Sequence, residues 1–212
     1  MSAVDDVLGP WRSPIPMTGV LATDARAYLT SLGCAFTADH SAAVATEARA
    51  LALRFGSDAE HAQAAGWLHD VSAVIPRSQR VAVALALGVP VLPEEQRAPV
   101  IVHQKLSAVL AREIFGVDDG STLDAIRYHT TLHPDADPLA RVVFLADKIR
   151  WDQTGQPPYL PELLQALDSG SLDAACCVYL DFLWNQRATL PVIHPWMAAA
   201  RHTFCTFSGG CR

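Results

Sequence analysis

Residues 64–72 read AAGWLHDVS, a run of small and apolar residues that ends on the polar pair His69-Asp70. Residues three or four apart share one face of a helix, so His69 falls in line with Ala62, Ala65 and Gly66. A stripe that should face a core thus delivers an imidazole inward. The pattern recurs along the chain. His40 lines up with Val44, Ala48, Leu51 and Phe55, and His103 with Leu106, Leu110 and Ile114. His129 lines up with Leu123 and Ile126, and Asp147 with Leu139 and Val143. β-Branched alternation is scarce outside Val81 to Val91. The expected fold is therefore all-α, a helical bundle.

A carboxylate on such a face needs a partner, because burying an unpaired charge costs several kcal/mol or more. Lys and Arg are few on these faces. A lone core-facing histidine is ordinarily a hydrogen-bonded core residue, and His61, His133, His194 and His202 take that reading or a surface one. Five helices that each aim a ligand-type residue inward are different. Metal ions satisfy all of them together. Neutral imidazole and carboxylate suit Fe, Mn, Zn or Co, and no thiolate joins the pattern to favour a structural zinc.

Punctuation sets the helix boundaries. Met1 to Thr18, with Pro10, Pro14 and Pro16, reads as an irregular arm. Thr23 or Asp24 caps a helix to about Leu32. A long helix follows from His40 to Phe55, and the next, capped by Ser57 or Asp58, reaches His69-Asp70. A short helix spans Arg77 to Leu87. Gly88 to Pro99 is a connector, Val100 to Phe115 a helix, and Asp118 to Thr130 and Pro138 to Trp151 two more. Beyond the break at Asp152 to Pro161 come helices near Glu162 to Leu167, from Leu172 to Arg187, and after Pro195. One domain over 1–212 is expected, with a core at about 36–155 and a helical extension at about 156–212. Tyr179, Phe182, Trp184 and Trp196 in that extension complete the core or form a homodimer interface.

Half of the 212 residues are hydrophobic and 18% are charged, which excludes disorder. The net charge of -6 argues against a general nucleic-acid binder, though bound cations can still attract a phosphorylated small molecule. The five cysteines, Cys34, Cys176, Cys177, Cys205 and Cys211, form no CxxC pair and read as small core residues of a reducing compartment, with Cys211 an exposed thiol. Asp5 and Asp6 stand where a signal peptide wants positive charge, and no apolar run reaches the roughly 18 residues of a membrane span. A cytoplasmic protein with no membrane partner is the expectation.

The order His40, His69-Asp70, Asp147 resembles the HD superfamily of metal-dependent phosphohydrolases, and His103 and His129 match its dinuclear subset. The strings VHQKLSAVLAREIFGV (102–117), LDAIRYHTT (123–131) and RVVFLADKIRWDQ (141–153), with AAGWLHDVS, are similar to the YqeK branch. The resemblance covers roughly residues 36–155. It implies an HD-type helical bundle and symmetrical hydrolysis of diadenosine tetraphosphate to two ADP. Two features depart from that branch. Val71, Ser72, Ala73 and Val74 stand where a lysine often follows the HD pair, and Ile149 to Gln153 replaces an acidic-proline-arginine segment. Another phosphorylated substrate therefore stays open. So do a nucleoside monophosphate phosphatase and, outside enzymes, a metal-stabilised nucleotide sensor. A cyclic-dinucleotide phosphodiesterase is disfavoured, because the Gly-Tyr-Pro signature of that class is absent after His129.

The expected cofactor is two divalent ions, Fe first and Mn, Co or Zn as alternatives. His40, His69, Asp70 and Asp147 hold one; Asp70, His103 and His129 hold the other, with Asp70 bridging. Two aspartates contribute about -2, so two divalent cations leave the centre near +2, suited to phosphate. Asp70 or Asp147 also orients the attacking water. Lys105 is a further catalytic candidate that reaches phosphate. Arg127, Thr130, Lys148 and Trp151 are candidates for nucleotide contact, against plainer readings as surface charge, helix-end cap and core packing.

Overall fold

The computed structural model describes residues 3–206, so Cys211 lies outside the described residues. These contain helices and no strand. The α-helices are α1 (Ala3–Leu8), α2 (Leu21–Ser31), α3 (Ala35–Phe55), α4 (Ala59–Leu68), α5 (Arg80–Ala86), α6 (Pro93–Arg97), α7 (His103–Glu113), α8 (Gly120–Tyr128), α9 (Pro138–Ile149), α10 (Leu160–Asp168), α11 (Leu172–Asn185) and α12 (Pro195–Thr206). No described helix is long and apolar enough to cross a membrane.

Side-chain caps set several starts. Asp58 accepts from the amides of Glu60 and His61, Asp119 from Thr122, Asp137 from Ala140 and Ser171 from Ala174. Each fills one or more amides that a first turn leaves unpaired. Gly56 closes α3 in the left-handed conformation (φ 72°), where a side chain would clash.

Four boundaries differ from the sequence reading. The arm expected at the N-terminus is partly helical, because Leu8 is fully buried and pins α1 to the core. Asp24 does not cap α2. It lies inside the first turn and turns back to accept from the Thr18 amide, the Thr18 hydroxyl and the Gly19 amide. α3 begins at Ala35, one turn and more before His40. The connector before Pro99 holds α6, whose Glu95 accepts from the Leu92 amide.

α3, α4, α7, α8 and α9 form the bundle around the site, and α4 touches each of the others. α4 lies so close to α3 that a Cβ on Gly66 would stand 2.6 Å from Ala45 Cα. α11 packs on α9, and α10 and α12 pack on α11. Tyr159, Leu163, Leu180 and Met197 share one hydrophobic cluster with Phe144, Leu106 and Val44. α11 and α12 are joined by a disulfide between Cys177 and Cys205, with Cα atoms 5.0 Å apart. This corrects the reading of those two residues as core thiols. Cys34 and Cys176 are free.

Candidate metal centre

The structure brings His40, His69, Asp70, His103, His129 and Asp147 together. His40 Nε2 lies 3.1 Å from Asp147 Oδ1, and His69 Nε2 lies 3.6 Å from Asp147 Oδ1 and 3.6 Å from Asp70 Oδ2. Asp70 Oδ1 faces His103 Nε2 at 3.2 Å and His129 Nε2 at 3.5 Å. Asp70 therefore stands between two imidazole groups, as a shared ligand must.

The helix ends aim the rings. His69 and His129 are the residues at which α4 and α8 stop, and His103 opens α7 after a 3-10 turn at Pro99–Val102. In all three, Nδ1 lies on a carbonyl three residues back: Gly66 O at 2.8 Å, Val100 O at 2.5 Å and Ile126 O at 2.8 Å. A carbonyl only accepts, so each Nδ1 carries a proton and each Nε2 presents its lone pair to the centre.

Two observations show that these residues fit a divalent cation. His69 Nε2 is buried with no hydrogen-bond partner, an arrangement that costs free energy unless something else satisfies it. His103 Nε2 and His129 Nε2, both acceptors by the preceding argument, face each other at 3.0 Å. A cation between or beside them removes that conflict. Among the described residues, His40-His69-Asp147 and His69-Asp70-His129 are groups whose donor atoms converge closely enough to hold an ion.

Electrostatics agree. Burial opposes charge on Asp70, but His69 and His103 outweigh it and hold the carboxyl well below its usual range. Burial likewise opposes charge on Asp147, and Lys148, His40 and His69 outweigh it. Burial pushes His129 down to about 4 despite the nearby Asp70 carboxylate, so this ring is neutral at pH 7. For His69, burial also works against charge, but Asp70 and Asp147 lift it to about 9. Without a metal, a proton takes the place a cation would fill.

The centre is open on one side. His69 is fully buried, whereas the Asp70 side chain is 28% exposed. Thr130 lies at this rim, its hydroxyl 3.1 Å from His103 Nε2 and 3.0 Å from His129 Nε2. The Gln104 side chain holds that turn, accepting from the amides of Thr130 and Thr131. Leu132 follows at φ 56°, a left-handed conformation unusual for a branched residue. Gln104 and Leu132 escape sequence reasoning, since an amide and a leucine on a helical pattern look ordinary.

Lys105 does not join the cluster. Residues two apart on a helix point about 200° apart, so Lys105 faces away from His103. Its Nζ donates to Glu95 Oε2 at 2.7 Å and Pro90 O at 2.9 Å, and lies 4.7 Å from the Trp196 ring centre. The expectation of a catalytic or phosphate-binding Lys105 is corrected. Arg127 stands in the same relation to His129. It pairs with Asp124 and lines, with Lys105, Arg112 and Tyr128, a separate cavity of about 430 Å³. Lys148 is buried and donates to Asp147 Oδ2 at 2.6 Å. Trp151 lies half-buried beside a cavity that contains His40.

A sequence model of the HD domain matches residues 37–152. An uncharacterized protein from the pepC 5' region of Lactococcus lactis subsp. cremoris is 45% identical over 137 residues, 65% of this chain and 69% of that one. The symmetrical bis(5'-nucleosyl)-tetraphosphatase of Bacillus subtilis (strain 168) is 33% identical over 110 residues, 52% of this chain and 59% of that one. A crystal structure from Clostridium acetobutylicum, described as a predicted HD superfamily hydrolase involved in NAD metabolism, superposes with a TM-score of 0.77 at 26% identity. It covers 88% of this chain and 96% of its own. The match spans α3 to α9, the helices that carry the clustered histidines and aspartates, and the chain belongs to the HD-domain family of hydrolases.

Proposed function

We propose that this HD hydrolase cleaves diadenosine tetraphosphate symmetrically to two ADP, with two divalent ions, iron first among the candidates, held by the six clustered residues. The observation that carries the reading is Asp70. It is the only one of the six whose two oxygens each face a different set of imidazoles, and it is the most exposed of the aspartates in the cluster. The Bacillus subtilis relative supplies the substrate class.

When bound, the ions supply Lewis-acid polarisation of a phosphoryl oxygen and a water acidified toward neutral pH. The chain's own residues do the rest. His69, His103 and His129 are fixed by their backbone carbonyls, so their Nε2 atoms need no rearrangement. Asp70, ionised and reachable by solvent, orients the attacking water, whose proton passes to bulk solvent. The Thr130 hydroxyl at the rim donates to a non-bridging phosphate oxygen. Water oxygen bonds to phosphorus as the bridging P–O bond breaks, and the departing ADP leaves as its phosphate anion.

Purified, metal-loaded protein should convert diadenosine tetraphosphate to ADP alone, and Asp70→Ala should abolish turnover and bound metal while helical circular dichroism stays. ATP plus AMP as products, or full turnover in Asp70→Ala, would overturn the proposal. Inorganic phosphate from AMP, with no cleavage of the dinucleotide, would assign the centre to monophosphate hydrolysis instead.

A further inference from the structure

The clustered residues form a row. His40 meets Asp147 and His69, these meet Asp70, and Asp70 meets His103 and His129, where Thr130 closes the line. One cavity lies at each end. The first, about 400 Å³, includes His40 itself together with Phe36, Arg150 and Trp151. The second, about 230 Å³, includes Thr130 and is walled by Ile101, Leu183, Leu190 and Met197.

We propose that these cavities are two nucleoside subsites, one for each end of a dinucleoside polyphosphate whose phosphate chain lies across the metal centre. The inference rests on the nucleotide reading above and adds where each base sits.

The first cavity has the chemistry of a stacking site. Phe36 lies one turn before His40 on α3, so the two share a face. Its ring is 68% exposed, an apolar surface that folding has left without cover. Trp151, half-buried, lines the same cavity beside the exposed Asp39 and Asp152, and Arg150, paired with Glu47 at 2.7 Å, adds a guanidinium plane. Aromatic and guanidinium planes accept any purine face.

The second cavity is an apolar slot. Most of its polar groups are already engaged, and Tyr179 also lines it. Thr131 is bonded to Gln104 through both its amide and its hydroxyl, and His194 Nε2 faces Glu95 while its Nδ1 accepts from the Trp196 amide. What remains are aliphatic walls, two of them from α11 and the segment after it. The volume is below the ~300–1,000 Å³ of sites that enclose a drug-sized ligand, room for a base and not for a whole nucleotide. Thr130 lines it and touches both His103 and His129, so the phosphates of a base held there lie beside those two rings. Anchoring at both ends places the middle of the phosphate chain at Asp70, which is the condition for two equal products. Each mononucleotide fills one end, so two can bind together.

The test is the stoichiometry of ADP binding to Mn(II)-loaded protein, measured by titration calorimetry, with metal content and circular dichroism as checks of the fold. The wild-type chain should bind two ADP. Phe36→Ala and Trp151→Ala should each weaken the first site, and Leu190→Trp, in the segment between α11 and α12, should fill the second, leaving one ADP per chain. Each variant should also raise KM for the dinucleotide roughly ten-fold or more, the effect of losing one stacked or enclosed base. One ADP per chain in the wild type, or a stoichiometry of two that survives Leu190→Trp, overturns the two-site inference even where hydrolysis to ADP is intact. No ADP binding together with no dinucleotide cleavage overturns the nucleotide reading, and this inference with it.

Discussion

Lys148 Nζ donates to Asp147 Oδ2 at 2.6 Å while Asp147 Oδ1 faces His40 at 3.1 Å. Neighbours in sequence on a helix diverge by about 100°, so Lys148 must bend back to make this contact. It is held there by the rings of Phe144 and Tyr179, 5.2 Å and 5.3 Å from Nζ. Burial opposes its charge, but Asp147 outweighs burial and raises its pKa. The lysine fixes one oxygen of a carboxylate so that the other points at the centre.

Lys148→Met should therefore weaken metal binding about 10- to 100-fold, the usual cost of losing a group that orients a ligand. Titration with Mn(II) reads it, and Lys148→Arg should recover part of the loss. Unchanged metal affinity with a raised KM would move Lys148 to the substrate, the role the sequence suggested.

Glu95 is fully buried and links three segments: it accepts from Lys105 Nζ at 2.7 Å and the Leu92 amide at 2.8 Å, and faces His194 Nε2 at 3.4 Å. Burial raises its pKa, but His194, the Leu92 amide and Lys105 together bring it below the ordinary 4.5. A carboxylate whose folded pKa is depressed gives stability that is present above the unfolded value and lost as pH falls through the folded one. The thermal midpoint should thus fall as pH drops below about 4.5. In Glu95→Gln that part of the acid dependence should vanish. At neutral pH the same variant leaves Lys105 buried and unpaired, at a cost of about 3 kcal/mol. A Glu95→Gln protein as stable as wild type in urea at pH 7 would refute this.

The clustered residues were legible because polar groups on apolar stripes are anomalies, and anomalies with one direction in common imply a common partner. The caps at Asp58, Asp119, Asp137 and Ser171 show which of the starts were within reach of local chemistry. What sequence could not give is whatever depends on distant partners. Lys105 sits two residues after His103, and only the structure shows that Glu95 claims it. Arg127 is claimed in the same way by Asp124. Cys177 and Cys205 are 28 apart and meet because α11 and α12 run side by side. Leu8 tethers an arm that its prolines make look irregular. In each case tertiary packing overrides the local signal.

Chelation should destabilise the fold. Without metal, His69 Nε2 stays buried and unpaired or protonated, and His103 and His129 oppose each other at 3.0 Å. A metal at one hundred times its Kd adds about 2.7 kcal/mol to folded-state stability. At about 2–4 °C per kcal/mol for a chain of this size, the midpoint should drop by roughly 5–10 °C. Differential scanning calorimetry with and without chelator reads the shift, and Mn(II) or Fe(II) should restore it. Identical midpoints before and after verified metal removal would mean the cluster holds no ion.

Gly66 carries the last prediction. Its missing side chain lets α4 lie against α3, since a Cβ there would come within 2.6 Å of Ala45 Cα and 2.8 Å of Ala45 N. Those atoms are backbone and cannot swing aside. Its carbonyl also accepts from His69 Nδ1 at 2.8 Å. Ala is ordinarily the better helix former by up to about 1 kcal/mol, so an isolated helix would gain from Gly66→Ala. Here α4 must shift away from α3, a change that costs about 1–3 kcal/mol in a packed core and tilts His69 relative to His40 on α3. The variant should be less stable in urea and bind Mn(II) more weakly, with Lys105 and Glu95 undisturbed. A stabilised Gly66→Ala protein with wild-type metal affinity would show that the two helices are not this close.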